Sequence, residues 1–171
     1  MKILETERLR LRTLDQNDAV FYLELVNTPG FIAFIGDRGI RTVEAAAQAI
    51  ADGPMAMQAK LGHSIYLVEH RETCQPLGMS GLIKRDTLDH VDIGYAFLPE
   101  HCGKGYAFEA AQAVLAHARR DIGLTRLLAI TSPGNVASIG LLEKLGLRLE
   151  KVVHLTPEDP GTNLYFLIFP N

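Results

Sequence analysis

The sequence has few cysteines to form disulfides and no long apolar run to anchor it in a membrane. It contains only two cysteines, Cys74 and Cys102, which form no C-x-x-C pair and are too few for a disulfide framework, so a reducing compartment suits them. No apolar run approaches the roughly 20 residues that cross a bilayer. The charged N-terminal segment MKILETERLRLRT does not resemble a signal peptide. We therefore expect a cytoplasmic protein with no membrane partner.

The chain also lacks an excess of positive charge. Its net charge of −3 at pH 7 provides no broad basic field for binding a nucleic-acid backbone, so no direct nucleic-acid partner is expected. What the sequence does contain is apolar residues, which make up 47% of its 171 positions. That proportion and length predict one domain, spanning residues 1–171, that buries most of its apolar surface. We expect it to be a monomer or a homodimer.

Strand and helix patterns alternate along the chain. The segment RLRLRTL, Arg8–Leu14, has the period of a half-buried strand. Asp15 and Thr42 are predicted to cap helices, and residues 28–39 are interpreted as loop and turn. Further strands are expected near residues 64–70, 77–85, 90–98, 126–132, 147–155 and 162–169, and helices near residues 105–120 and 135–146. This order predicts an α+β domain with a mixed sheet.

The segment LPEHCGKGYAFEAA, residues 98–111, places two glycines around a lysine at the start of a helix. The free N–H groups of a first helical turn attract anions, and Gly103 and Gly105 allow backbone conformations closed to residues with a Cβ atom. With the positive charge of Lys104, the loop predicts a phosphate cradle; the alternative is an ordinary glycine turn. The sequence does not match the P-loop motif. It also does not match the dinucleotide-binding motif, because Phe108 stands where the third glycine belongs.

Three blocks of the sequence, in this order, resemble the GNAT superfamily of acyl-CoA-dependent N-acetyltransferases, and within it the branch containing the RimJ and RimL ribosomal-protein acetyltransferases. They are LETERLRLRTLDQNDA from residue 4, VDIGYAFLPEHCGKGYAFEAA from residue 91, and NVASIGLLEKLGL from residue 135. The family's loop pattern, Q/R-x-x-G-x-G/A, falls on residues 102–107, with Cys102 departing from its first position. The resemblance implies a mixed, mostly antiparallel central sheet flanked by helices, with splayed central strands that hold acyl-CoA.

The same resemblance implies a co-substrate, acetyl-CoA, and the residues that bind it. The strand before the loop would offer unpaired backbone groups to the pantetheine arm, the loop amides would receive the pyrophosphate, and an asparagine would lie beside the pantetheine. The implied cofactor-binding residues are Phe97, Leu98, Gly103, Lys104, Gly105, Tyr106, Ala107 and Asn135. No metal is expected, because the histidines form no H-x-x-x-H or similar array.

Two residues are implied to be catalytic. Ser138 matches the serine of the branch's N-x-x-S segment and would give the departing CoA thiolate a proton or a hydrogen bond. The alternative is that Asn135 and Ser138 are ordinary residues at a helix start. Asp92 stands where some relatives carry a glutamate base and would accept the proton of the attacking amine. The alternative is a solvent-facing aspartate on a strand. His90, two residues earlier, is a second candidate for the base.

The resemblance implies transfer of an acetyl group to a primary amine by direct attack in a ternary complex, but it leaves the acceptor open. The acceptor groove would be formed by residues 27–41 and 154–166, whose acidic side chains are candidates for binding an ammonium group and whose aromatic side chains are candidates for lining the groove. These are Phe31, Phe34, Asp37, Glu158, Asp159 and Tyr165. The acceptor classes are a protein N-terminus, a free amino acid, a polyamine and an aminoglycoside-like amine. Alternatives to an enzyme are a non-catalytic acyl-CoA-binding or regulatory module of the same fold and an unrelated nucleotide-phosphate binder.

Overall fold

The computed structural model of the protein describes residues 1–170, and its eight strands form one sheet in the order β1-β2-β3-β4-β5-β6-β8-β7. The strands are β1 Lys2–Glu5, β2 Leu9–Thr13, β3 Ile65–His70, β4 Pro76–Ile83, β5 Asp92–Phe97, β6 Arg126–Thr131, β7 Arg148–Val153 and β8 Thr162–Ile168. Neighbouring strands are antiparallel except β5 and β6, which are parallel. The expected mixed, mostly antiparallel sheet is confirmed.

The helices cover both faces of this sheet. They are α1 Ala19–Val26, α2 Pro29–Phe34, α3 Val43–Ile50, α4 Ala56–Leu61, α5 Tyr106–His117 and α6 Val136–Lys144. One buried cluster joins α5 and α6 to the sheet through Val114, Leu142 and Leu11. A second cluster joins α1 and α3 to the sheet and includes Leu25 and Ile50. Each face of the sheet therefore packs against its own set of helices.

The alternating pattern of the first predicted strand has the expected cause. In β2, Leu9 and Leu11 are fully buried, whereas Arg10 and Arg12 lie on the opposite face and form ion pairs with Glu69 of β3. Such alternation fixes the register, because a slip of one residue would expose both leucines. The strand β1 was not predicted, since its four residues give too short a pattern.

The two predicted helix caps are confirmed. The Asp15 side chain accepts a hydrogen bond from the Asn17 amide, 2.8 Å away, and begins a short 3-10 turn that leads into α1. Asp18 completes a capping box by accepting a hydrogen bond from the Asp15 amide. The Thr42 hydroxyl accepts from the Ala45 amide at the start of α3. These side chains satisfy N–H groups that have no partner within the helix.

The prediction of loop structure throughout residues 28–39 is wrong for α2. Thr28 caps this helix by accepting a hydrogen bond from the Phe31 amide, and Pro29 occupies its first position, where a fixed φ and a missing N–H cost nothing. Phe31 is then buried against the core beside α1. The proline and Gly30 therefore belong to a helix start, although together they resemble a turn.

The parallel strands β5 and β6 are joined at one place only. Asp92 is paired with Leu128, and the Leu128 amide donates to the Val91 carbonyl at 2.9 Å. Beyond this bridge no further pair between the two strands is found in the part of the chain that the structure describes. The strands thus splay apart toward the C-terminal end of β5, as the resemblance implied.

Candidate active site

A cavity of about 810 Å³ lies at the gap between β5 and β6. Its walls come from these two strands, from β4, from α2 and the loop after it, from the start of α6, and from the loop between β7 and β8. Both segments predicted to form the acceptor groove contribute, the first with Phe31 and Phe34 and the second with Thr156 and Asp159. The volume suits a small molecule.

The glycine loop has the backbone geometry of an anion site. Gly103 and Gly105 have φ angles of 78° and 83°, in the left-handed region that residues with a Cβ atom avoid. Among residues 1–170, no protein acceptor faces the amides of residues 103–108. These N–H groups lie at the positive end of α5, where a phosphate is stabilised. Lys104 is exposed beside them.

The loop is held in place by residues that the sequence patterns did not single out. Arg8 donates from Nη1 to the Lys104 carbonyl at 3.0 Å and from Nε to Glu109 Oε1 at 2.7 Å. Its guanidinium also lies 4.5 Å from the centre of the Tyr106 ring. Burial alone would raise the pKa of Glu109, but hydrogen bonds from Thr6 and Arg8 lower it below its usual value. The turn between β1 and β2 thus fastens the loop to α5 through a charged contact.

The backbone of β5 presents every second residue to the gap. The Val91 carbonyl faces β6, so by strand alternation the backbone groups of Tyr95 and Phe97 also face that side, where β6 has moved away. For Phe97 this geometry agrees with the expectation of unpaired backbone N–H and C=O groups. For Leu98 that expectation is wrong, because its amide donates to the Leu77 carbonyl at 3.1 Å and its carbonyl accepts from the His101 amide at 3.0 Å.

Asp92 is buried in the wall of the cavity, so the solvent-facing alternative is wrong. It is fully inaccessible, and its Oδ2 accepts a hydrogen bond from Arg85 Nε at 2.9 Å. Its Oδ1 has no partner among the described residues. Burial raises the pKa of Asp92 to about 6, while the charge of Arg85 opposes the shift. His90 is exposed and lines a separate depression beside Arg126, so it does not share this position.

Ser138 lies on the same cavity, in contact with a residue that the sequence did not indicate. The Tyr95 hydroxyl and Ser138 Oγ are 2.7 Å apart. Burial raises the pKa of Tyr95 to about 12, although the hydrogen bond with Ser138 opposes this. Asn135 Oδ1 accepts from the Ser138 amide at 3.2 Å, so its side chain does cap α6. The contact between Tyr95 and Ser138 joins residues 43 positions apart, which no local pattern reveals.

The acidic residues proposed for ammonium binding are occupied or lie elsewhere. The Asp37 carboxylate is 2.7 Å from Arg41 Nη2. Asp159 accepts hydrogen bonds from its own loop, whose donors, the Leu155 amide first, lower its pKa. Glu158 is exposed and does not line the cavity, and Tyr165 is buried in the core. The one cavity carboxylate with a free oxygen, within the described part of the chain, belongs to Asp92.

Comparison with known proteins agrees with this geometry. The model of the acetyltransferase (GNAT) domain family matches residues 8–148, which is most of the chain. The protein therefore belongs to the GNAT family, and it is an acyl-CoA-dependent acetyltransferase. Among the helices of residues 1–170, none combines the length and apolar composition that a membrane span requires.

The relatives support the same class. The uncharacterized N-acetyltransferase YoaA of Bacillus subtilis (strain 168) is 30% identical over 175 residues, covering 98% of this chain and 97% of the relative. A crystal structure of an acetyltransferase from Agrobacterium tumefaciens str. C58 is 26% identical, with a TM-score of 0.82 over 98% of this chain and 94% of the other.

Similarity to the ribosomal-protein branch extends to the fold. A RimL ribosomal L7/L12 α-N-protein acetyltransferase, solved in complex with coenzyme A, has a TM-score of 0.83, with 98% of each chain covered. At 18% identity it shows the common fold alone. The resemblance of the three sequence blocks to the GNAT superfamily is confirmed by the family model.

Proposed function

We propose that the protein transfers the acetyl group of acetyl-CoA to a primary amine by direct attack in a ternary complex. The observation that carries the proposal is that an anion-binding loop directly follows β5, while one cavity at the gap beside β5 is lined by a buried carboxylate and a paired hydroxyl. Each matches one need of the reaction: holding the pyrophosphate, holding the pantetheine arm, accepting a proton and donating one. The rate gain comes mainly from holding thioester and amine together.

Acetyl-CoA is proposed to bind along the gap. The free amides of residues 103–108 would receive its pyrophosphate, with Lys104 adding a charge. The pantetheine arm would run between β5 and β6, where the backbone of Phe97 faces the gap and Asn135 begins α6. Gly103 and Gly105 suit this role because their φ angles let the backbone turn its amides toward one anion.

The proton transfers are assigned to the two polar pairs in the cavity. The amine nitrogen attacks the thioester carbonyl carbon, a C–N bond forms, and the C–S bond breaks. The nitrogen loses a proton to Asp92 through a bridging water, because the carboxylate is buried in the cavity wall. The pKa of Asp92, about 6, leaves it largely ionised at neutral pH and basic enough to act. The departing sulfur takes a proton from Ser138, Ser138 regains one from the Tyr95 hydroxyl, and Tyr95, whose pKa of about 12 keeps it protonated at neutral pH, takes a proton from solvent.

Calorimetric titration with acetyl-CoA tests the binding half of this proposal. Gly105→Glu would strain a left-handed position and place a carboxylate beside Arg8, whose Nη2 is 3.3 Å from the position of an added Cβ. Lys104→Glu is the cleaner variant, because it reverses an exposed charge at the loop. We expect it to weaken acetyl-CoA binding markedly, while Lys151→Glu, an exposed change on β7, leaves it intact. Folded wild-type protein that does not bind acetyl-CoA would overturn the proposal.

Thiol release from acetyl-CoA in the presence of an amine panel tests the catalytic half. We expect Asp92→Asn and Ser138→Ala to slow release without loss of acetyl-CoA binding. A non-catalytic module would bind acetyl-CoA and acetylate no amine, and its small background release would not change in either variant. An unrelated nucleotide binder would be revealed by ATP competing as well as coenzyme A does.

A further inference from the structure

The charged residues on the cavity wall are two arginines and two aspartates. Within residues 1–170 they are Arg38, Arg85, Asp92 and Asp159. Asp159 is saturated by hydrogen bonds from its own loop, and Asp92 is shared with Arg85. Arg38 is therefore the charged residue of this set that has no ion-pair partner and still has free hydrogen-bond donors.

Arg38 is held against the cavity by aromatic residues and not by an acid. Its Nη1 donates to the Tyr22 hydroxyl at 3.2 Å, and its guanidinium lies 5.2 Å from the centre of the Phe31 ring. Both aromatic residues are buried, at 3% and 5% exposure, so they form a firm support. The other N–H groups of Arg38 have no protein acceptor among the residues described.

A second arginine in the same loop shows the opposite situation. Arg41 donates to both oxygens of Asp37 and to Asn27 Oδ1, and it does not line the cavity. The charge of Arg41 is thus neutralised by Asp37 within the protein. Arg38 differs because it lines the cavity and has N–H groups without a protein acceptor. A planar guanidinium binds a carboxylate through two parallel hydrogen bonds.

We infer that the acceptor is a small amino acid, whose carboxylate is bound by Arg38 while its amine is directed to Asp92. The inference rests on the proposed function, since it names the amine that this site acetylates. Among the open acceptor classes it favours those that carry a carboxylate over the polyamines and aminoglycoside-like amines, which have none. An amino acid would present its carboxylate to the Arg38 guanidinium and its amine toward Asp92, which is buried in the cavity wall.

The size and walls of the cavity favour a free amino acid over a protein N-terminus. The volume of about 810 Å³ must also hold the end of the pantetheine arm, which leaves room for a compact second substrate. Ser132 Oγ donates to the Phe34 carbonyl at 3.0 Å, linking the β6 wall to the α2 wall. A peptide crossing between these two walls would have to break that bond.

Acetylation rates of matched acceptors test the inference. Each common amino acid is compared with its carboxamide and with the corresponding decarboxylated amine, at saturating acetyl-CoA, by following thiol release. We expect kcat/KM for the preferred amino acid to exceed that for its carboxamide by about tenfold to a hundredfold, as for a lost hydrogen bond to a charged group. Arg38→Gln should bring this ratio close to one, whereas Arg41→Gln should preserve it and Arg38→Lys should retain part of it.

A parallel binding measurement separates failure of this inference from failure of the proposed function. Amino acids are titrated by calorimetry into wild-type and Arg38→Gln protein in the presence of coenzyme A. Arg38-dependent binding with no amine acetylated would reject the proposed function and uphold the carboxylate site. Equal rates for acid and carboxamide, faster acetylation of spermidine or of a peptide N-terminus, or no binding of any amino acid would overturn the inference.

Discussion

Replacing Asp92 by asparagine is expected to stabilise the protein at neutral pH while it removes the proposed base. Asp92 is fully buried, and burial raises its pKa from the ordinary 3.8 to about 6. The difference of about 2.2 pKa units, at about 1.36 kcal/mol per unit, corresponds to about 3 kcal/mol. The fold therefore carries a charge whose ionisation costs a sizeable part of a typical domain's stability.

The sign of the effect follows from the direction of the pKa shift. Because the folded protein binds this proton more tightly than the unfolded chain does, the stabilisation is fully present below the unfolded pKa of 3.8 and is lost as the pH rises through about 6. Asparagine stays neutral at every pH, and its amide oxygen can still accept from Arg85. The two proteins should thus be about equally stable near pH 4, and the variant should be more stable by about 3 kcal/mol near pH 8.

Urea unfolding at a series of pH values measures this difference directly. In thermal unfolding it corresponds to a rise of about 6–12 °C near pH 8 for a chain of this length. Asp89→Asn, a change at an exposed position between β4 and β5, serves as the matched control and should show no such trend. A stability difference that stays constant across pH, or a variant that is less stable near pH 8, would refute the reasoning. The Asp92 variant should also lose the fall in kcat below about pH 6 that protonation of the base imposes.

Three further changes address the proton donor, the loop and a helix cap. Tyr95→Phe removes the hydroxyl that contacts Ser138 and is expected to lower kcat about tenfold with little change in KM for acetyl-CoA, as steady-state kinetics would show. Glu109→Gln removes the charged partner of Arg8 and is expected to raise that KM several-fold while kcat is kept. Thr42→Ala removes the cap of α3 and should cost about 1 kcal/mol in urea unfolding without altering acetyl-CoA binding.

Each of these expectations has an outcome that contradicts it. An unchanged kcat in Tyr95→Phe would show that Ser138 needs no support from the phenol. Glu109→Gln with wild-type KM would mean that the loop holds its shape without the charged contact. Weaker acetyl-CoA binding in Thr42→Ala would place α3 in the cofactor site, which its position on the other face from α5 argues against.

Much of the fold could be predicted from the sequence because local signals agree with the final structure. The alternation around Leu9 and Leu11, the caps at Asp15 and Thr42, and the glycine loop before α5 each depend on neighbouring residues. Where signals conflict, as at Pro29 in α2, the tertiary contact of a buried aromatic decides. The family resemblance then supplied the mostly antiparallel sheet and its splayed central strands, which local patterns cannot give.

The candidate site was less predictable, since its properties arise from contacts between distant segments. The burial of Asp92 depends on the walls around the cavity, and a strand aspartate in isolation looks like a surface residue. The contact of Tyr95 with Ser138 and the contact of Arg8 with Glu109 each join separate elements. The occupation of Asp159 by its own loop likewise removed a candidate whose sequence position had favoured it.

The single bridge between Asp92 and Leu128 also has a mechanical consequence. The strands β1–β5 form one half of the sheet and β6–β8 the other, and few backbone hydrogen bonds connect them. A bound pantetheine arm would supply hydrogen bonds where a ninth strand would otherwise stand, so the substrate itself would complete the sheet. Backbone hydrogen bonds would then cross the gap only while the enzyme is loaded, and each product release would leave the two halves joined by the single bridge and their shared core.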